Sequence, residues 1–170
     1  MKVTFAHWML AAVLAVPAAA QTESQARSGG EVFGFGGGYF GEGGVNAPVG
    51  GGGLAYRAGN LRMFGEAFYL RKTLDAGFTS ATGTATAFQG GVHILIPVGS
   101  SMAVPFGSAS FGMARSSASA GSFSLSETLG QLGLGGGVDL NISPKWGIRP
   151  EFRLYNFVEY RTTFGVFYRF

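Results

Sequence analysis

Between Thr128 and Asn156 the chain alternates, apolar then polar or glycine, almost residue by residue. In residues 145–156 one face collects Trp146, Ile148, Pro150, Phe152 and Leu154, and the other Gly147, Arg149, Glu151, Arg153 and Tyr155. In residues 128–141 one face holds Leu132, Leu134, Gly136, Val138 and Leu140, and the other Gln131, Gly133, Gly135, Gly137 and Asp139. A period of two is the mark of a β-strand with two unlike faces. A soluble sandwich turns the apolar face inward against a second sheet. A membrane barrel turns it outward to lipid and fills its lumen with the polar face. Alternation alone leaves both open.

The N-terminus supplies context. Lys2 precedes an apolar stretch from Val3 to Val16; Pro17 ends it, and Ala18, Ala19 and Ala20 lead to Gln21. That is the three-part pattern of a secretory signal peptide over residues 1–20, with cleavage expected after Ala20. The stretch is short for a transmembrane helix, which needs about 20 apolar residues. The chain has no cysteine, which excludes acylation at a lipoprotein cysteine, thiol catalysis and thiolate metal sites. Residues 21–30, QTESQARSGG, are polar and aperiodic and read as a flexible periplasmic lead-in. The remainder, residues 31–170, fits one domain. Basic residues are scattered apart from Arg71 and Lys72, so nucleic acid is not expected as a partner.

With 30 glycines and 16 phenylalanines, the chain has only 12% charged residues. Gly-rich disordered chains are poor in aromatics, so disorder does not account for this mixture. An exported, aromatic, glycine-rich chain with no helix-length apolar run after its leader faces lipid with every second residue. Eight extended segments are marked, at residues 31–40, 49–57, 61–71, 84–96, 102–115, 128–141, 145–156 and 160–170. Each is near the roughly 9–11 residues that cross a membrane as a tilted strand. The connections 58–60, 97–101 and 142–144 are short, whereas 41–48, 72–83 and 116–127 are long; 157–159 is short as well. Short turns on the periplasmic side and longer loops outside are the outer-membrane pattern, and an even strand count leaves both ends in the periplasm. The predicted fold is therefore all-β, an eight-stranded antiparallel up-and-down transmembrane barrel. Aromatics at segment ends (Tyr39, Phe40, Phe68, Tyr69, Trp146, Tyr155, Phe157, Tyr160, Phe164, Tyr168) suit interfacial girdles. Glycines leave the faces of residues 31–57 unassigned, and segment 102–115 has room for a change of face at a bulge.

The chain ends RTTFGVFYRF, with Phe164, Val166, Tyr168 and Phe170 on one face. This ending resembles the C-terminal targeting strand of bacterial outer-membrane proteins. With the leader, the length and the Gly/aromatic strands, the mature chain resembles the small OmpA-like and opacity-type (porin-like) outer-membrane barrels of Gram-negative bacteria. The resemblance implies outer-membrane localisation, contact with outer-membrane lipid, and recognition of Phe164, Val166, Tyr168 and Phe170 by the barrel-assembly machinery as an assembly signal. No extracellular partner is specified.

The polar faces hold Arg62, Glu66, His93, Asp139, Arg149, Glu151, Arg153 and Arg169, expected as lumen charges. Buried charges need partners, so opposite signs on one inner surface suit a closed, salt-bridged barrel. The other use of such a set is a narrow polar conduit. His93 is the one histidine after the leader, and GVHILIP places no serine two residues on. Small barrels that cleave or transfer lipid acyl chains need a His activating a Ser; no catalytic, cofactor-binding or metal site is expected here. Gly36–Gly38, Gly50–Gly53 and Gly135–Gly137 lack the Gly-Lys-Ser/Thr continuation of a phosphate loop and read as close strand packing. Loops 72–83 and 116–127 are read as bland, mobile caps. The expected function is structural or surface-interacting, without catalysis. The alternatives are a small pore or apolar-solute conduit, and a periplasmic lipocalin-like carrier, which needs the apolar faces inside.

Overall fold

The computed structural model describes residues 28–41, 46–76, 79–98, 102–120 and 123–170. The expected signal peptide, its cleavage site and residues 21–27 of the lead-in lie outside them. Eight antiparallel strands follow in chain order: β1 (Gly29–Phe40), β2 (Asn46–Ala58), β3 (Leu61–Ala76), β4 (Thr79–Leu95), β5 (Ala103–Ala120), β6 (Phe123–Asn141), β7 (Trp146–Tyr155) and β8 (Glu159–Arg169). Each pairs with its neighbour, and β8 closes on β1, with Glu31 opposite Arg169 and Phe40 opposite Tyr160. The result is a closed up-and-down barrel, as the alternation and strand count predict. β1 starts two residues earlier than expected, taking in the last glycines of the lead-in.

The faces sort inside out. Phe88 (65% exposed), Phe111 (68%), Leu132, Leu134, Ile148 and Phe152 lie on the outer wall. Arg62, Asp139, Arg153 and Arg161 are buried within. A lipocalin-like carrier needs the opposite arrangement. Eight strands enclose a space that side chains fill, and small residues make room for large ones there. At Gly133 a Cβ atom would come within 2.4 Å of Ser110 Oγ and 3.0 Å of Arg153 Cδ.

Four expectations change. Of the expected loops 72–83 and 116–127, the described residues 72–76, 79–83, 116–120 and 123–127 are strand: β3 and β4 pair up to Ala76 opposite Thr79, and β5 and β6 up to Ala120 opposite Phe123. Small Ser/Thr/Ala/Gly side chains hide the alternation in residues 79–83 and 116–120, while Phe123 and Leu125 alternating with Ser124 and Ser126 do mark the start of β6. β5 keeps register with both neighbours throughout, with Phe106, Ser108, Ser110 and Ala114 inward, so no bulge turns its face. Of the expected girdle aromatics, Tyr39, Phe68 and Tyr155 are buried inside the barrel. Their neighbours Phe40 and Tyr69 on alternate positions face outward.

The two halves of the wall differ in height. β7, β8, β1 and β2 span 10, 11, 12 and 13 residues, while β3 to β6 span 16 to 19. The tight β7–β8 turn places Asn156 and Phe157 at positive φ, 47° and 64°. Above it, β3 to β6 continue as a four-stranded tongue. At the other end the turns are short, with Gly59 at φ 65° in the β2–β3 turn, a conformation glycine adopts without steric cost. The β6–β7 ladder lapses opposite Arg149 and Pro150 and resumes in the same register at Leu140 and Ile148. Pro150 has no N–H to give to it.

Candidate functional site

All eight predicted lumen charges lie on the inner face, joined by two residues not predicted there, Glu31 and Arg161. They form two clusters stacked along the barrel. In the cluster nearer the chain ends, Asp139 accepts from Arg62 Nη1 at 2.5 Å, Arg149 Nε at 2.7 Å and Arg169 Nη2 at 3.3 Å. Arg149 also donates to Glu31 at 2.6 Å, and Arg169 Nε to Glu31 at 3.4 Å. In the second cluster, Glu66 Oε1 accepts from Arg153 Nη1 at 3.1 Å, Arg161 Nη2 at 2.6 Å and Gln89 Nε2 at 2.5 Å. Arg153 donates to Glu151 as well. Gln89 bridges onward to Tyr155 and Ser110.

Rings separate the cations. Arg149 lies over Phe33, Phe106 and Phe167, with centroids 4.8–5.8 Å away. Arg161 lies among Phe35, Phe68 and Tyr155 at 4.6–5.7 Å. Aromatic faces attract guanidinium groups where no acceptor reaches them, and Arg161 Nε and Nη1 have no hydrogen-bond partner among the described residues. The void lined by His93, Arg149, Glu151 and Thr163 measures about 10 Å³, room for roughly one water.

His93 links the clusters. Its Nδ1 accepts from Arg62 Nε at 2.9 Å, its Nε2 lies 3.6 Å from Glu151, and Phe64 and Phe106 flank the ring at 4.3 and 4.5 Å. Ser108 sits opposite on β5. With Nδ1 occupied by Arg62, the remaining nitrogen carries the proton and aims it toward a carboxylate. Among the described residues, no group of three His, Cys, Asp or Glu is placed to hold a metal ion.

Glu31 was missed because glycines blur the alternation in β1. Arg161 was legible: counting back in twos from Arg169 through Phe167, Gly165 and Thr163 puts it on the same face. Toward the tongue, Tyr39 donates to Glu159, and Gln131 Nε2 lies 3.4 Å from Tyr39 Oη. Of the residues expected to serve as an assembly signal, Phe164, Val166 and Tyr168 lie on the outer face of β8 and Phe170 follows its last residue; Phe164, Val166 and Phe170 are exposed.

The tongue presents an unpaired edge. β6 meets β7 only from Gly133 onward, opposite Tyr155. Just above, the Asn156 backbone N–H donates to Leu132 O at 2.9 Å. The Asn156 side chain continues as a further strand would, accepting from Leu132 N–H at 2.9 Å and donating to Gly130 O at 3.3 Å. In an antiparallel ladder a residue's N–H and C=O point to the same neighbour and alternate along the strand. The groups of Ser124, Ser126 and Thr128 therefore point outward from this edge and meet no partner among the described residues.

Over residues 8–170 the sequence matches the family described as outer membrane protein beta-barrel domain. The chain belongs to this family. It is a bacterial outer-membrane β-barrel protein; in barrels of this kind the short turns face the periplasm. Three solved outer-membrane barrels have similar folds. The attachment invasion locus protein Ail of Yersinia pestis is 16% identical, with TM-score 0.60, covering 85% of this chain and 100% of its own. Neisserial surface protein A is 16% identical, with TM-score 0.62, covering 84% and 97%. The N-terminal barrel of Pseudomonas aeruginosa OprF is 15% identical, with TM-score 0.60, covering 85% and 100%. At these identities the likeness is one of fold. No curated protein matches the sequence.

Proposed function

We infer that this barrel works at the cell surface without catalysis or conduction, and that its β3–β6 tongue is the interacting part. The observation that carries this reading is the free β6 edge. Exposed edges invite pairing with other chains, and proteins usually blunt them with Lys, Pro, bulges or a covering element. From Ser124 to Gly130 the edge has no Lys, no Pro and no bulge, and Leu125 (79% exposed) and Leu129 stand on one side of it. Such an edge accepts an extended segment of another protein by main-chain pairing, with side chains adding selectivity. The filled interior supports the non-conducting part: two arginine–carboxylate clusters occupy the path a solute would take.

Two measurements test the reading. The refolded protein is expected to give no single-channel steps in planar bilayers while keeping heat-modifiable migration on gels; steady steps would favour the pore reading. Cells displaying the intact chain are expected to bind an immobilised set of extracellular proteins, and Thr128→Pro, which removes an edge N–H without touching the lumen, is expected to abolish that binding. Unchanged binding by Thr128→Pro would place the interaction elsewhere.

A further inference from the structure

A groove of about 710 Å³ runs across the outer wall, with Leu54, Phe88, Phe111 and Met113 standing around Gly52, Gly65, Ala67 and Gly90. The register aligns Gly52, Ala67, Phe88 and Met113 across β2 to β5, and Leu54, Gly65, Gly90 and Phe111 one pair nearer the periplasm. One pair toward the cell surface lie Tyr69, Thr86 and Arg115, and beyond them Arg71, Thr84 and Ser117. Arg71 and Arg115 are exposed, outward-facing and without an ion-pair partner among the described residues. Two strands and one residue pair separate their Cα atoms, about 12 Å at standard strand spacings. The exposed Tyr69 ring, in the same cross-strand row as Arg115, suits the membrane interface.

We propose that this face is a lipid site for a multiply acylated, phosphate-bearing glycolipid of the outer leaflet. Its acyl chains lie in the groove, and its phosphates meet Arg71 and Arg115. The occupant follows from the two ends of the site. The groove lies on the hydrocarbon-facing wall, where apolar chains are the surrounding medium. Its surface end is cationic and lined by the hydroxyls of Thr84, Thr86 and Ser117, which suits phosphate oxygens and sugar hydroxyls. Two cations at this separation fit a headgroup whose phosphates flank a disaccharide better than one with a single phosphate. Arginine in this position lays its alkyl stem along lipid while its head reaches the polar layer.

The glycines allow a clean test. A Cβ atom at Gly65 or at Gly107 meets nothing within 4 Å. Gly65→Leu therefore fills the groove without disturbing the wall, and Gly107→Leu, lower on the outer face of β5, is its control. Native mass spectrometry of the refolded full chain would be titrated with hexa-acylated bisphosphorylated lipid A, with its dephosphorylated form and with phosphatidylcholine. Wild type and Gly107→Leu are expected to retain the bisphosphorylated lipid most tightly. The double variant Arg71→Gln/Arg115→Gln is expected to lose that preference, by about fivefold per arginine, the equivalent of about 1 kcal/mol per cation at a membrane surface. Gly65→Leu is expected to weaken both acylated glycolipids alike. Equal retention of phosphorylated and dephosphorylated forms by wild type would overturn the proposal, as would an unaffected Gly65→Leu. A dimer that Gly65→Leu dissolves would assign the groove to a second copy of the chain instead.

Discussion

Asp139 holds three guanidinium groups, those of Arg62, Arg149 and Arg169, and two of the three are buried. Removing one partner from a buried ion network leaves charge without compensation, which costs about 3–5 kcal/mol. Asp139→Ala is thus expected to lower unfolding stability in lipid vesicles by about that much, read from urea midpoints. Arg169→Gln is expected to cost under about 1 kcal/mol, because that side chain is 23% exposed and water screens its pairs. Equal losses would mean that the network does not depend on Asp139 as its hub. A lumenal position alone suggests that Arg149→Ala spares the barrel, but its bonds to Glu31 and Asp139 tie β7 to β1 and β6. Its loss strands two buried carboxylates.

At the level of the element, β6 is two strands in one. Its lower half is paired on both sides and faces lipid. Its upper half is paired, among the described residues, with β5 alone. This asymmetry gives a signature in hydrogen exchange. Amides of Leu125, Glu127 and Leu129, which point toward β5, are expected to be protected; those of Ser124, Ser126 and Thr128, which point outward, are expected to exchange near the open-chain rate. Uniform protection along β6 would mean that the edge is covered. The alternation of the upper half of β6 is legible, since Phe123, Leu125 and Leu129 alternate with Ser124, Ser126 and Thr128. Its open edge is not, and in residues 79–87 and 114–120 Ser, Ala, Gly and Thr carry too little contrast in hydropathy to reveal period two. In β7 and the lower half of β6, by contrast, large apolar residues alternate with charges, and the strands and faces follow directly.

For the whole molecule, the inside-out sorting has a cost that can be measured. Phe152 is exposed on the outer wall. Phe152→Arg is expected to cost about 2–4 kcal/mol of insertion free energy in a lipid bilayer if the site lies near the midplane, and less toward the interfaces. An unchanged free energy would contradict its lipid-facing position. Closure also explains the interior chemistry. With eight strands the opposing walls are close, so a charge on one strand reaches a counter-charge on a strand distant in sequence, as Arg161 on β8 does Glu66 on β3, 2.6 Å away.

Alternation of large and charged residues, turn chemistry and strand count determined by themselves an eight-stranded antiparallel barrel and the inward set of β6 and β7. These are local properties: each residue's face follows from its parity along one strand. Which charges meet, that His93 spends its basic nitrogen on Arg62, and that Tyr39, Phe68 and Tyr155 turn inward depend on how strands far apart in the chain are brought together. The tongue and its open edge belong to this second class. They arise because β3 to β6 outrun β7 and β8, and a strand's pairing depends on where its neighbour stops.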